Sequence, residues 1–499
     1  MEILLYCLLT AFLALLFAST ASPLYATNFW TDTNIYFTIG RGLREGLMPY
    51  RDLFDHKGPL LYLLYGLAAG ISNTDFSGVF LLEVLFLAAF LFLAFRFAGK
   101  AGASAAAFAA PPLAAMAVCG CRAFTQGGSA EEFCLPFLLL GMGCAAELIR
   151  PEEKSNGENK ARIVSAALFG ISAAAVFLIK YTDCGLFFGL GLFMVFSVWR
   201  ARGMASVFRM FVWMLLGFLV LCALVFGYYA LRGALSDCLR AYFADNLTSY
   251  SGAPMNLRLH VWNALAYLRT QSQANPVLAA LTGTGILAWM GYWLRRGGKG
   301  SVFSALAFPA GAAVLLLTCY WGEMAHPYYA LVFAATAVPG LCALLSLPGH
   351  FFGGLRVRYG LAVAALLTLL VPLPAALKPE MRTLRSVHRQ EMPQMIFAAK
   401  MWELSGEKAP TLLDLTSLDQ GFYLAAGVLP ATRYFADNNL ETAEKRTEIG
   451  GYLTDGVCEY VVTVWREPGE NYECIAEGAG LFDLAAERTY RLWRRKTGL

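Results

Sequence analysis

The residues of this chain best suited to chemistry stand between Phe29 and Tyr62, in FWTDTNIYFTIGRGLREGLMPYRDLFDHKGPLLY. This polar, aromatic insert lies between long apolar runs and gathers Asp32, Arg41, Arg44, Glu45, Arg51, Asp52, Asp55, His56 and Lys57. Asp32 closely follows the first apolar run and is flanked by Trp30 and Tyr36, residue types that favour the membrane–water interface. A carboxylate held at that depth can orient and deprotonate a hydroxyl or amine, the task of a general base. It can equally cap the helix predicted to follow it. Asp55-His56-Lys57-Gly58-Pro59 then packs an acid, an imidazole and an ammonium side by side. Lys57 suits phosphate as a compact charge and Arg51 as a bidentate fork; the plainer reading is a local ion pair at a helix start.

Further polar groups recur at span ends. Glu131 and Glu132 in GGSAEEFCLPF lead straight into an apolar run. Adjacent acids are costly in lipid, so at least one should face a cavity or partner, although either suits a positive helix N-terminus. Lys180 ends AAAVFLIK, with Asp183 at ion-pair spacing; a lysine at the outer membrane edge can also hold a lipid phosphate. Glu323 and His326, in CYWGEMAHPYY, form a third knot beside Tyr320, Tyr328 and Tyr329. Glu83 lies inside a span with no partner apparent from the sequence. All of these except Glu83 map to one side of the membrane, which scattered structural charges would not choose.

The elements that must position them are membrane spans. Of 499 residues 58% are hydrophobic and only 15% charged, against about 25% charged in soluble domains. The net charge of +4 carries no nucleic-acid signature. Apolar runs near 3–22, 78–97, 103–119, 132–149, 163–179, 185–199, 208–229, 276–294, 302–319, 327–346 and 360–377 predict about eleven spans. Basic residues crowd alternate loops: Arg96 and Lys100, Arg150 to Arg162, Arg200 to Arg209, Arg295 to Lys299, and Arg356 with Arg358. By the positive-inside bias those loops and the N-terminus are cytoplasmic. The first insert (about 23–77), the loop from about 230 to 275 and the tail are then outside. Residues 3–22 lack a basic leading region and read as a retained span. The twelve cysteines lack metal spacing; Cys458 and Cys474 are pairing candidates in the tail, with no motif that argues for a bond.

In the insert, Ile35, Ile39, Leu43 and Leu47 recur every four residues with Arg41, Arg44 and Glu45 turned away. This predicts an amphipathic helix lying in the interface and ending at Met48-Pro49. Pro59 to Ile71 predicts a second surface helix, too short to span. The chain thus divides into a membrane module, 1–377, and a small external α/β domain, 378–499. In that domain MPQMIFAAKMWEL, DQGFYLAAGV and NLETAEKRTEIGGYL read as helices; TLLDLT, ATRYF, CEYVVTVW and ERTYRLWRR read as strands.

The stretch WTDTNIYFTIGRGLREGLMPYRDLFDHKGPLLYLL resembles the first external loop of bacterial GT-C glycosyltransferases, relatives of protein O-mannosyltransferases and of lipid A aminoarabinose transferases. Asp32, Gly46, Pro49, Tyr50, Lys57, Pro59 and Tyr62 match its pattern. GGSAEEFCLPF resembles the second external loop, FLIKYTD a lysine-bearing span end, HPYYALVF the entry to a late span, and ATRYF the edge of an external domain. The likeness is densest over about 25–72. Asp32 is followed by Thr33 where relatives often carry Asp-Glu, and Gly58 interrupts the Lys-Pro element.

The resemblance implies a mainly α, polytopic GT-C fold with external surface helices and a small C-terminal α/β domain. It implies an inverting transfer of a sugar from a polyprenyl-phosphate donor to a glycan, lipid or protein acceptor outside the plasma membrane. Asp32 would be the base, with Glu131 or Glu132 as the second acid orienting a substrate. Lys57, Arg51, Lys180 and His326 would hold the donor phosphate; Tyr50, Asp55 and His56 would orient donor or acceptor. A divalent cation (Mg or Mn) would be held by Asp55, His56 and His326. Membrane lipid is the expected surrounding partner, and nucleic acid is not a partner. Two rivals differ in kind. A lipid or sugar transporter should show inverted repeats and midplane charges, which are not visible here. A polysaccharide polymerase or ligase would use a lipid-diphosphate donor.

Overall fold

Backbone polar groups in lipid must be satisfied within their own segment, so apolar runs here become helices. The computed structural model describes residues 1–150, 158–250, 257–322, 326–352, 357–482 and 486–496. The helices are α1 (Glu2–Ala18), α2 (Thr31–Arg44), α3 (Pro59–Ile71), α4 (Ser77–Lys100), α5 (Ala110–Gly120), α6 (Ala130–Leu148), α7 (Glu158–Ile179) and α8 (Gly185–Arg202). They continue as α9 (Met204–Leu231), α10 (Leu235–Leu239), α11 (Leu257–Ala274), α12 (Pro276–Arg296), α13 (Ser301–Cys319), α14 (Phe333–Phe352) and α15 (Val357–Leu370). Among the described residues eight helical runs are long and apolar enough to cross a membrane, those carrying α4, α7, α8, α9, α12, α13, α14 and α15.

The other three expected spans are helices of a different character. α1 stops at Ala18 after 17 residues. It buries Cys7, Ala11, Ala14 and Leu15 and turns Leu4, Leu5, Leu9 and Phe12 outward, as a helix between a bundle and lipid should. α5 is preceded by a 3-10 turn over Ser104–Ala109. α6 opens on Glu131 and Glu132, both buried.

The first insert departs from its sequence reading. α2 does not lie in the interface with Arg41 facing water: every residue from Thr31 to Gly42 is buried. Its polar face meets protein. Thr38 Oγ1 donates to Asp419 Oδ2 (2.6 Å), and Arg41 Nη1 donates to the Val428 carbonyl (3.2 Å). Periodicity reports that a helix has a polar face; it does not say whether water or a second domain covers that face. α2 also ends at Arg44, ahead of Met48-Pro49, where Gly46 turns the chain at φ 89°. α3 has the expected bounds. It packs so closely on α2 that a Cβ at Gly40 would lie 2.5 Å from the Tyr65 carbonyl oxygen.

The segment expected as a loop from 230 to 275 is mostly helical where it is described: α10, a π-helix over Arg240–Tyr250, and the 18-residue α11. The tail builds a four-stranded sheet of order β1-β2-β4-β3, with β1 Leu412–Leu415, β2 Tyr460–Thr463, β3 Tyr472–Phe482 and β4 Ala486–Arg495. β1 and β2 are parallel, and β4 is antiparallel to both β2 and β3. The parallel pair requires a crossover, which Phe422–Ala426 and Ala443–Thr454 supply as helices. ATRYF is not a strand. It bonds in part to the first insert: Phe54 N donates to the Arg433 carbonyl (2.9 Å) and the Arg433 side chain donates through Nε to the Tyr50 carbonyl (3.1 Å), while the Phe435 carbonyl accepts from Tyr423 Oη (2.6 Å). β3 went unread because Gly and Glu interrupt its apolar alternation.

Candidate active site

Asp32 sits in the first turn of α2, after an N-cap at Trp30, so it does not cap the helix. Tyr36, one turn later, donates its hydroxyl to Asp32 Oδ2 (3.2 Å), and Tyr328 donates to the same oxygen from the far end of the chain (3.1 Å). His326 stacks on Tyr328 with ring centroids 5.2 Å apart. Its buried Nε2 has no hydrogen-bond partner among the described residues. Burial, then the Lys57 ammonium, holds the His326 pKa below its ordinary value. Glu323 lies outside the described residues.

The Asp55-His56-Lys57 string is held by tyrosines. Tyr62 Oη donates to Asp55 Oδ2 (2.7 Å) and accepts from Lys57 N (3.0 Å), while Tyr50 Oη donates to the Lys57 carbonyl (2.7 Å). Gly58 explains why glycine interrupts the Lys-Pro element. A Cβ there would lie 2.2 Å from the Leu178 carbonyl oxygen and 2.4 Å from that of Ile179. Its absence lets the loop lie against the end of α7, beside Lys180. Gly58→Ala is therefore expected to destabilise the protein by about 1–3 kcal/mol, as overpacking does, and to lower activity more than a matched surface substitution. A thermal melt beside a turnover assay reads both.

Lys180 does not pair with Asp183 as its spacing suggested. Its ammonium is ion-paired with Glu131 and lies 3.6 Å from the centroid of the Tyr329 ring. Asp183, fully buried, accepts from Cys319 Sγ at 3.4 Å and leaves Oδ2 unpartnered among the described residues. The adjacent acids of α6 part company. Glu131 goes to Lys180, whereas Glu132 turns back on the helix start: Gly128 N donates to Glu132 Oε2 (2.9 Å), and the N-cap Ser129 Oγ accepts from Glu132 N (3.0 Å). Glu83, left without a partner by sequence, accepts from Ser19 Oγ (2.8 Å).

Some of these groups line one hollow. A cavity of about 330 Å³ is lined by His56, Lys57, Lys180, Asn246, Trp321 and Tyr329, among others. Glu131 lies behind Lys180 as its ion-pair partner, and Asp32 accepts from Tyr328; neither Glu131 nor Asp32 lines the cavity itself. Arg51 stands apart. It does not line the cavity; its guanidinium pairs with Asp52 (2.7 Å) and donates to the Arg232 carbonyl (2.9 Å). Tyr50 is wholly buried and acts on the Lys57 backbone. Sequence reasoning missed Asn246, Tyr242 and Trp321 on the cavity wall, since AYFADNLTSY and CYWG carry no motif.

The residues named for a divalent cation, Asp55, His56 and His326, are not drawn into one ligand set among the described residues. His56 Nε2 lies 3.9 Å from Asp55 Oδ1, while Asp55 Oδ2 already accepts from Tyr62. Among the described residues no three His, Cys, Asp or Glu side chains gather as a ligand set. Burial, then the Lys57 charge, pushes the His56 pKa from 6.5 down to about 3. Below pH 6.5 the unfolded chain therefore binds a proton that the folded chain refuses, and stability falls with pH down to about 3. The slope from this group reaches about 1.4 kcal/mol per pH unit. Burial raises the Asp55 pKa, which acts with the opposite sign. His56→Gln should thus flatten the decline of Tm between pH 6.5 and 5, read by comparing melts of the two proteins.

No family model matches the sequence, and no curated protein matches it. Solved structures do. ArnT from Cupriavidus metallidurans aligns over 98% of this chain and 97% of its own at 12% identity, with TM-scores of 0.55 bound to undecaprenyl phosphate and 0.57 in the apo state. This chain has the GT-C fold. The archaeal oligosaccharyltransferase AglB from Archaeoglobus fulgidus, in complex with an inhibitory peptide and a dolichol-phosphate, aligns over 93% of this chain and 69% of its own at 14% identity and a TM-score of 0.46. The GT-C architecture here is a helical membrane bundle, two short helices in the first insert and a small C-terminal sheet.

Proposed function

We propose that this protein is an inverting glycosyltransferase that moves a sugar from a polyprenyl-phosphate donor to an acceptor outside the plasma membrane. The observation that carries the reading is the pair of ammonium groups, Lys57 and Lys180, on the wall of one cavity, with Glu131 ion-paired to Lys180 and Asp32 accepting from Tyr328. The solved structure of ArnT with undecaprenyl phosphate supports the class of donor. The basic alternate loops support a cytoplasmic N-terminus and an external tail domain.

In this reading Asp32 takes the proton of the acceptor hydroxyl or amine as that atom bonds to the anomeric carbon. The bond from that carbon to the phosphate oxygen breaks on the opposite face, giving inversion. Polyprenyl phosphate leaves as the anion, its developing charge met by the ammonium groups of Lys57 and Lys180. Tyr36 and Tyr328 hold the Asp32 carboxylate in place, Glu131 orients Lys180, and His326 offers Nε2, which has no partner among the described residues, at the phosphate. No step requires a metal held by this chain's own residues.

The test is proteoliposomes given undecaprenyl-phosphate sugars and an envelope extract as acceptor. Release of undecaprenyl monophosphate with a new glycoconjugate is expected. Release of diphosphate would favour a polymerase or ligase, and transfer of the intact lipid across the bilayer would favour a transporter.

A further inference from the structure

The cavity wall contains a device the mechanism above does not use. Asn246 lies in the π-helical segment Arg240–Tyr250, and π turns occur disproportionately at functional sites. Its side chain is buried. Its Nδ2 donates to the carbonyls of His56 (2.8 Å) and Tyr242 (2.9 Å), with Ala241 at 3.4 Å. Carbonyl oxygens only accept, so the amide nitrogen must occupy that side and Oδ1 must face the imidazole. Oδ1 lies 2.8 Å from His56 Nδ1. That nitrogen therefore carries the hydrogen, and Nε2 carries the lone pair.

We propose that Asn246 fixes His56 in the Nδ1–H tautomer so that Nε2 serves as a hydrogen-bond acceptor for a hydroxyl of the donor's sugar. The inference rests on the donor reading above and deepens it. His56 and Lys57 are consecutive and both line the cavity. With Lys57 on the phosphate, the neighbouring side chain meets whatever is bonded to that phosphate, which is the sugar. Sugar hydroxyls are donors that a neutral imidazole nitrogen can accept, and burial keeps the ring neutral. Asn246 is thus a positioning residue, acting through His56.

Two measurements test this on the full chain in nanodiscs. The first is ¹⁵N NMR of the histidines, with the His56 signal assigned by its loss in His56→Gln. A neutral Nδ1–H form is expected in the wild type; an Nε2–H form overturns the proposal whatever the activity. The second compares affinity for bare undecaprenyl phosphate with affinity for undecaprenyl-phosphate glucose, mannose and arabinose. Asn246→Leu should weaken the best sugar-bearing lipid about tenfold, or about 1.4 kcal/mol, and leave the bare lipid within about twofold. Equal loss of both lipids in Asn246→Leu, or no loss of either, overturns the role. A wild type that binds neither lipid, with His56 in the Nδ1–H form, overturns the donor reading and the sugar as ligand, while the tautomer assignment stands.

Discussion

Asp32→Asn is expected to lower the transfer rate by roughly 10²–10⁴-fold, the range for loss of a positioned general base, while the protein folds and inserts as before. The reason lies in what the substitution keeps. Tyr36 and Tyr328 both donate to Asp32 Oδ2, and an amide oxygen at that position accepts from both. The replacement is the same size, and α2 remains buried between the bundle and the tail domain. Proton acceptance is what disappears. A variant that elutes as a monodisperse particle, melts near the wild type and binds undecaprenyl phosphate equally, yet does not turn over, is the expected result. Full turnover would remove Asp32 from the mechanism.

Lys180 should give the second-largest effect, and its partner makes the result interpretable. Lys180→Met removes the ammonium proposed to meet the leaving phosphate, with an expected loss in kcat of about 10²–10³-fold. It also leaves the Glu131 carboxylate, only 1% exposed, without its counter-charge, at a cost of about 3–5 kcal/mol. A single variant would confuse the two effects. Adding Glu131→Gln removes the stranded charge, so the double variant should regain most of the lost Tm and none of the lost rate. If activity returned together with stability, Lys180 would be a structural ion-pair partner and the phosphate role would fall to Lys57.

Much of this site was legible because polar residues in an apolar chain are conspicuous. Asp32, Lys57, Glu131, Lys180 and His326 stand out as charged or titratable groups at span ends; Lys57 and Lys180 line one cavity, Glu131 pairs with Lys180, and Asp32 accepts from Tyr328, on which His326 stacks. Their partners were not legible. Lys180 meets Glu131 forty-nine positions away in place of its neighbour Asp183, and Asp32 meets Tyr328 across nearly three hundred positions. Arg51 looked equivalent to Lys57 but is committed to Asp52 and Arg232. Asn246 sits in a segment whose composition gave no hint of a π-helix, because that wider turn depends on what its side chains reach and not on propensity.

Hydrophobic runs, basic loops and turn residues by themselves determined that this is a multi-span membrane protein with a polar first insert and a small mixed tail domain. Those features are local: lipid demands a helix wherever about twenty apolar residues occur in a row, whatever the rest of the chain does. Tertiary structure alone decided that the polar face of α2 is covered by the tail domain, that ATRYF bonds in part to the first insert, and which of two adjacent glutamates meets Lys180. Each of those outcomes depends on which distant group satisfies a buried donor or charge, and burial makes an unsatisfied choice costly by about 1–3 kcal/mol or more.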